Sequence, residues 1–151
     1  MDAKNYAFLL LKYRLRSENE IYQRLKKKNF PEAVIKKTIS FLKEKGFIDD
    51  ELFAKSWINS RLKKSLGLKR IRSELKLKGL DSGLIEESIS KAKENYSQEQ
   101  AAAEIAQKRV LKLKGIEPKK ARQRLYAYLL RRGFSPDIII DVMNNLWKQT
   151  S

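Results

Sequence analysis

Residues 46–54 read Gly-Phe-Ile-Asp-Asp-Glu-Leu-Phe-Ala and place three consecutive acids in a chain whose formal net charge is +16. Glycine commonly ends a helix, and aspartate commonly begins one because its carboxylate accepts hydrogen bonds from the first free backbone amides. Asp49 is the natural cap, and Asp50 and Glu51 then fall in the first turn, where the helix dipole favours negative charge. The stretch therefore predicts a joint between two helices. A metal or catalytic site is the alternative, and no further ligand stands nearby in sequence.

The apolar residues around this joint recur with a regular spacing. Five of them, starting at Ile21, are matched 50 residues later by a set that starts at Ile71, and 54 residues after that by a set that starts at Leu125. Such self-similarity is typical of repeat proteins, in which each repeat buries its apolar face against its neighbours. The fifteen positions are Ile21, Leu25, Phe30, Ile35, Ile39, Ile71, Leu75, Leu80, Ile85, Ile89, Leu125, Leu129, Phe134, Ile139 and Met143.

Each copy contains three predicted helices. Apolar residues four apart indicate a pair of amphipathic helices, and a tight turn that contains Asn29, Gly79 or Gly133 separates the two. Another helical stretch precedes each pair, at about residues 3–15, 50–64 and 98–114.

The expected fold is all-α, with three tandem three-helix repeats packed in an elongated, curved row; a single helical bundle is the alternative. In this arrangement Phe47 and Ile48 close the third helix of the first repeat, and Phe53 starts the buried stripe of the next helix. Phe47, Asp49, Asp50 and Phe53 are thus expected to form a structural joint. The repeats are expected at residues 1–48, 49–96 and 97–151.

The composition excludes most catalytic chemistry. The chain has no Cys and no His, which rules out disulfides, classical zinc sites and nucleophiles paired with histidine. Its six glycines are scattered singly, so it has no glycine-rich phosphate loop. We expect neither an enzyme nor a bound cofactor or metal. The longest early apolar run, residues 8–11, is far too short for a signal peptide or a membrane span, which predicts a cytoplasmic protein without a membrane partner.

Positive charge is spread along the whole chain, with 34 Lys and Arg residues against 18 Asp and Glu residues. A surplus of this size favours a polyanion, or an acidic protein that sits on nucleic acid, as the partner. On a helix that starts near Leu68, residues Lys69, Arg72 and Lys76 share one face, which either contacts phosphates or is simply solvated. The third repeat carries a second cationic group, rich in the arginines that suit forked contacts with phosphate or carboxylate. Its members are Lys119, Lys120, Arg122, Arg124, Arg131 and Arg132.

Two tyrosines and two tryptophans have competing interpretations. Tyr126 and Tyr128 lie among the third-repeat cations and could stack on bases, although aromatic residues at helical spacing more commonly belong to a core. Trp57 and Trp147 lie in amphipathic segments and are expected to anchor cores; contact with a partner is the alternative.

Several motifs together resemble the signature of the bacterial RecX regulatory proteins. They are Gly-Phe-Ile-Asp-Asp-Glu-Leu-Phe-Ala-Lys-Ser-Trp-Ile-Asn-Ser-Arg-Leu at residues 46–62, Gly-Leu-Lys-Arg-Ile-Arg-Ser-Glu-Leu at 67–75, and Lys-Gly at 78–79. The stretch Leu-Arg-Arg-Gly-Phe-Ser at residues 130–135 is similar to that family's third-repeat signature, so the resemblance spans nearly the whole chain. The first turn departs from the family pattern, because Asn29 stands where relatives commonly have glycine.

The resemblance implies tandem three-helix repeats and a regulatory function. RecX-like proteins bind the RecA recombinase filament on single-stranded DNA and restrain its strand exchange, ATP hydrolysis and coprotease activities; they are not enzymes. The partners implied are the RecA filament and single-stranded DNA, with double-stranded DNA as a further candidate, and we expect a monomer. A general helical nucleic-acid-binding protein acting through its basic surface is the alternative, and a scaffold in another complex is a third.

The candidate partner-binding and DNA-binding residues come from two arguments. Charge and family position together select Lys69, Arg70, Arg72 and Lys76. Charge alone selects Arg122, Arg124, Arg131 and Arg132.

Overall fold

The computed structural model describes residues 1–149, which form helices joined by short turns. The helices follow one another in three groups of three, and no strand occurs in the described range. The prediction of an all-α fold made of three tandem three-helix repeats is confirmed. The helices are α1 (Ala3–Tyr13), α2 (Glu18–Lys27), α3 (Glu32–Glu44), α4 (Asp50–Leu62), α5 (Leu68–Leu77), α6 (Ser82–Lys93), α7 (Gln98–Leu111), α8 (Pro118–Arg131) and α9 (Pro136–Gln149).

The first helix of each repeat is shorter than predicted. α1, α4 and α7 end at Tyr13, Leu62 and Leu111, two or three residues before the expected positions. After α1 the chain becomes extended at Arg14, and after α4 it turns at Ser65 with a φ of 56°. Apolar and basic residues after each helix end gave a helical pattern that the backbone does not follow.

Phe47 and Ile48 lie beyond α3, which ends at Glu44 and does not extend to them as the pattern predicted. Gly46 adopts the left-handed conformation, with a φ of 77°. The backbone amides of Phe47 and Ile48 both donate to the Leu42 carbonyl oxygen, at 2.8 Å and 3.2 Å. The two residues therefore satisfy the end of the helix from outside it, in the manner of a C-terminal cap.

The chain divides into two compact units, one made of residues 1–57 with 74–88 and the other of residues 58–73 with 89 onwards. The second repeat contributes segments to both units. In the first unit, α1, α2 and α3 enclose a core. In the second unit, α7, α8 and α9 enclose another.

The periodic apolar positions form the centres of these cores. Ile21 and Leu25 have no exposed surface in the first unit, and Leu125, Leu129 and Phe134 have none in the second. Of the fifteen positions, all except Phe30 and Met143 are buried, and those two are half-buried. The spacing that revealed the repeats is therefore the spacing of the buried side chains, as expected when each helix turns one apolar face inward.

No helix in the described range combines the length and apolar character that crossing a bilayer requires.

Candidate partner-binding surface and the repeat joints

The first repeat joint is built at the N-terminus of α2. Ser17 caps this helix: its Oγ accepts from the Glu20 amide at 3.1 Å, and the Glu20 side chain accepts from the Ser17 amide at 3.1 Å. The same Ser17 Oγ donates to the Lys78 carbonyl oxygen at 2.7 Å, in the turn between α5 and α6. One hydroxyl group therefore caps a helix of the first repeat and holds a turn of the second.

The acids of residues 49–51 take part in this joint. Asp49 caps α4, since its carboxylate accepts from the Leu52 amide at 3.1 Å. Asp50 accepts from the Glu18 amide at 2.8 Å, so it satisfies a free amide at the start of α2 as well as occupying the first turn of α4. Burial raises the pKa of the Asp50 carboxyl, and the hydrogen bond from Glu18 partly opposes that shift.

These contacts show how the acidic stretch is used. Glu18 forms an ion pair with Lys43 at 3.0 Å beside Asp50. Within residues 1–149 no three Asp or Glu side chains come together as ligands for a metal ion. The carboxylates of Asp49 and Asp50 therefore have a structural role: they accept hydrogen bonds from backbone amides at the starts of helices.

The aromatic residues of the joint have different environments. Phe53 is 3% exposed, and its ring stacks on Trp57 with centroids 5.9 Å apart. Phe47 is 48% exposed, and its ring meets Phe8 edge to face at 4.9 Å. Phe53 is therefore a core residue, and Phe47 covers α1 from the surface.

The second repeat joint has the same geometry between the second and third repeats. At the start of α5, the Gly67 amide donates to the Arg132 carbonyl oxygen at 2.8 Å, and the Lys69 amide donates to the Gly133 carbonyl oxygen at 3.2 Å. The Leu68 amide donates to the Gln98 side-chain oxygen at 2.9 Å. The free amides at the start of α5 are therefore capped by the third repeat, since Gly67 has no side chain that could do so.

The two joints correspond residue by residue. The carbonyl of Lys78 in the first joint has the place of the Arg132 carbonyl in the second, and both belong to the turn between the second and third helices of a repeat. Asp50 and Gln98 are each the first residue of the first helix of a repeat, and each accepts from the first amide of the second helix of the preceding repeat. The joint is thus a repeated structural unit made of two helix N-termini and one turn.

Close backbone approach explains the glycine in each turn. A Cβ atom on Gly79 would lie 2.4 Å from the Asn19 Cβ, and one on Gly133 would lie 2.4 Å from the Arg70 Cβ. Both glycines also have positive φ, of 79° and 101°. A side chain at either position would strain the turn and push the neighbouring helix away.

The joint engages two of the predicted binding residues. Arg132 is half-buried, and its guanidinium donates to the carbonyl oxygen of Lys64 and lies 6.0 Å from the centroid of the Tyr128 ring. Arg70 is half-buried, and its guanidinium donates to the Arg131 carbonyl oxygen at 3.3 Å. The structure brings Arg70 and Arg132 together at the second joint, where both hold backbone carbonyls.

The other predicted binding residues lie on the surface. Lys69 and Lys76 are exposed on α5, and Arg72 on the same helix is half-buried. In the third repeat, Arg124 and Arg131 are exposed, and Arg122 is exposed with its guanidinium 5.1 Å from the centroid of the Trp147 ring. Tyr126 and Tyr128 are half-buried against the core, and Arg109 lies 4.5 Å from the Tyr128 ring centroid.

Sequence reasoning missed two sets of residues. The first comprises the contacts of Ser17 and Gln98 across the joints, for which the sequence signals only local capping. The second is an exposed cationic end of α2, where Lys28 lies 5.4 Å from the centroid of the Tyr6 ring. The signal for this second set was visible as three consecutive lysines, Lys26, Lys27 and Lys28.

Three family models match consecutive parts of the chain. The model described as the first three-helix domain of RecX matches residues 3–42, the second three-helix domain matches residues 49–89, and the third matches residues 97–143. Together they cover all three groups of helices.

Curated relatives agree with these matches. The chain is 36% identical over 131 residues to "Regulatory protein RecX" of Clostridium botulinum strain Alaska E43, covering 85% of this chain and 61% of that protein. It is 35% identical over 147 residues to "Regulatory protein RecX" of Chlorobium phaeobacteroides, covering 97% of this chain and 94% of that protein. The chain therefore spans about three fifths of the first relative and nearly the whole of the second.

A solved structure shares the fold. The crystal structure of RecX from Lactobacillus salivarius superposes with a TM-score of 0.79 at 25% sequence identity, covering 95% of this chain and 94% of that one. The three matched domains, the full-length relative and the shared fold agree with the signature at the first joint, and this chain belongs to the RecX family.

Proposed function

We propose that this protein binds the RecA recombinase filament on single-stranded DNA and inhibits its recombinase, ATPase and coprotease activities. Membership of the RecX family is the observation that carries the proposal. The family resemblance supplies the partner, and the charge of this chain fits it, because an excess of 16 positive charges favours a surface rich in phosphates or carboxylates. A filament on DNA offers both kinds of anion at once. In this proposal the protein acts in the cytoplasm, together with the filament, and as a monomer.

The proposed role is regulation by binding, without catalysis. The most acidic stretch of the sequence, residues 49–51, provides caps and joint contacts through Asp49 and Asp50. A hydrolytic site would need such carboxylates directed towards a substrate, whereas these accept hydrogen bonds from backbone amides.

The proposed contact surface consists of exposed cations on two helices. On α5 it includes Lys69 and Lys76, with the half-buried Arg72 beside them. On α8 it includes Arg122, Arg124 and Arg131, whose planar guanidinium groups suit paired oxygens. Exposed cations of this kind suit the binding of phosphates or carboxylates at a surface.

Arg70 and Arg132 have a different proposed role. Their guanidinium groups already hold carbonyl oxygens of the second joint, at Arg131 and at Lys64 respectively. We assign them to positioning the turn that ends α8, and only through that turn to binding of the filament.

An ATPase measurement tests the proposed function. RecA is assembled on single-stranded DNA, and this protein is titrated in at a fixed salt concentration. Inhibition is expected well below one molecule per RecA, because a filament regulator acts on many protomers at once. A general nucleic-acid-binding protein would inhibit only when its amount approaches that of the DNA sites.

Excess DNA provides the control. Free single-stranded DNA of the same sequence, added after filament assembly, removes a protein that merely competes for DNA and leaves a filament-specific regulator bound. If added DNA abolishes all inhibition, the RecA proposal is wrong and the nucleic-acid-binding alternative replaces it.

A further inference from the structure

An open groove of about 550 Å³ lies between α7 and α9 in the third repeat. Among the described residues, none of those that line it is a lysine or an arginine, although the chain as a whole carries 34 of them. Its lining includes two acids, two amides and one alanine, which make the groove acidic and open. They are Glu99, Ala103, Gln107, Asp141 and Asn145.

The first repeat provides a reference for this groove. α1 and α7 are both capped by a side chain, from Asp2 and from Ser97, that accepts from an amide three residues later. Counted from these caps, the fully buried Ala7 corresponds to the fully buried Ala102. For α3 and α9 the periodic apolar positions give the correspondence, in which the buried Ile35 matches the buried Ile139.

In the first repeat the corresponding positions carry aromatic side chains. Phe8 of α1 and Phe41 of α3 both pack against the core. The ammonium group of Lys4 lies 3.9 Å from the centroid of the Phe41 ring, which is a favourable cation–π distance. In the first repeat, α1 and α3 therefore carry two aromatic rings at these positions, and a cation lies beside one of them.

In the third repeat every one of these groups is replaced. Phe8 corresponds to Ala103 and Phe41 to Asn145, which removes both rings. Lys4 corresponds to Glu99, Lys12 to Gln107 and Lys37 to Asp141, so that three lysines become two acids and an amide. The result is an open space with the opposite charge.

We propose that the groove between α7 and α9 binds a protein segment that presents an aromatic side chain beside a lysine or arginine. The aromatic ring enters the open groove beside Ala103 and Asn145, at positions where the first repeat carries Phe8 and Phe41. The cation is attracted by Glu99 and Asp141, which are both exposed at the groove. The same two acids repel phosphates, so the occupant is a protein segment and not a nucleic acid.

This proposal goes beyond RecA regulation and does not depend on it. The groove is defined by residues of the third repeat that differ from those at the equivalent positions of the first. Its chemistry favours an aromatic side chain beside a cation, on any protein that presents this pair. It also gives the third repeat a second contact of opposite charge to the arginines of α8, which favours a partner that carries both signs of charge.

The test uses the whole protein labelled with ¹⁵N and a short, end-capped, alanine-based helical peptide. The peptide carries lysine and phenylalanine four residues apart, the spacing of Lys37 and Phe41 on α3. Side-chain amide signals of Gln107, Asn144 and Asn145 report directly on the groove. They are expected to shift saturably with this peptide and to stay in place with a peptide in which glutamate replaces the lysine.

Variants of exposed residues locate the binding. Glu99→Lys with Asp141→Lys is expected to weaken peptide binding by roughly tenfold, because two favourable charge contacts become repulsive. Glu104→Lys, an exposed acid on α7 outside the groove lining, is the matched control and is expected to leave the affinity unchanged. Ala103→Phe with Asn145→Phe restores the residues of the first repeat and is expected to abolish binding while helicity is kept.

Four results would overturn the proposal. They are no shift of the reporting amides by the lysine peptide, equal shifts by both peptides, undiminished binding after charge reversal at Glu99 and Asp141, and shifts that depend on protein concentration without peptide. The last result would assign the groove to a second copy of this chain.

Discussion

The Ser17 hydroxyl donates a 2.7 Å hydrogen bond to the carbonyl oxygen of Lys78, which lies 61 residues further along the chain. The same oxygen of Ser17 accepts from the Glu20 amide. Because one side chain serves both a helix cap and a contact between repeats, the folding of α2 and the docking of the second repeat are physically coupled in the first unit.

Ser17→Ala is expected to destabilise the protein more than a simple cap deletion. Loss of a serine cap costs about 1 kcal/mol, and the part-buried Lys78 carbonyl loses its donor at about 1 kcal/mol more. Ser97→Ala is the matched control, because Ser97 caps α7 but is exposed. Urea unfolding followed by circular dichroism measures both. Equal losses for the two variants would contradict the coupling.

The turn glycines should be intolerant of alanine for two separable reasons. Gly79→Ala and Gly133→Ala introduce a Cβ both into a left-handed conformation and into contact with a neighbouring helix. Gly46→Ala has the same backbone conformation, with a φ of 77°, and nothing within 4 Å of the added atom. Its cost is expected to be about 1 kcal/mol, and the turn variants are expected to lose at least twice as much. Thermal unfolding that ranks the three variants equally would leave backbone strain as the sole cause.

Asp50 should tolerate an amide but not a methyl group. Asp50→Asn keeps an oxygen that can accept from the Glu18 amide and removes a charge that burial disfavours. Gln98 performs the equivalent task in the second joint with a neutral amide. At neutral pH we expect Asp50→Asn to be at least as stable as the native protein and Asp50→Ala to lose about 1–3 kcal/mol. A large loss for Asp50→Asn would show that the charge itself is needed.

Glu20 should make the first joint sensitive to acid. Burial raises the pKa of its carboxyl, but hydrogen bonds from Arg14 and the Ser17 amide and the nearby charge of Lys78 outweigh burial, and the net shift is downward from 4.5. A lowered pKa in the folded state gives stability that is present above about 4.5 and is lost as the pH falls through the folded value.

The pH profile of unfolding tests this assignment. Glu20→Gln is expected to be less stable than the native protein at neutral pH and to lose less stability as the pH falls below 4.5. Glu44→Gln, at an exposed position at the end of α3, is the control and should keep the native slope. If Glu20→Gln and the native protein had parallel profiles, Glu20 would not be the group responsible.

The repeats could be predicted from the sequence because the buried side chains recur at a regular spacing along the chain. Ile21, Ile71 and Leu125 could be aligned without a structure, and Asp49 was recognisable as a cap from its position alone. The partners of Ser17 and Gln98 were not predictable, because they depend on which turn docks against which helix end.

Charge in the sequence did not distinguish exposed arginines from arginines that hold the fold together. Arg131 and Arg132 are neighbours in one basic run, yet Arg131 is exposed and Arg132 holds the carbonyl of Lys64. The carbonyl acceptor lies in another repeat, so only the tertiary structure separates the two. The groove between α7 and α9 was equally hidden, since the loss of Phe8 and Phe41 equivalents becomes meaningful only when two repeats are compared in space.

Charge reversal on α5 tests the proposed contact surface. Lys69→Glu with Arg72→Glu is expected to weaken filament binding at least about tenfold while helicity is kept, because two cations that meet anions become repulsive. Lys36→Glu with Lys37→Glu changes the net charge equally at two exposed residues of α3. If the contact is specific to α5, the control pair keeps most of the affinity, whereas attraction by net charge alone would weaken both pairs to the same extent. Binding to RecA filaments measured over a series of salt concentrations separates these cases, since lost phosphate contacts also make the dependence of affinity on salt less steep.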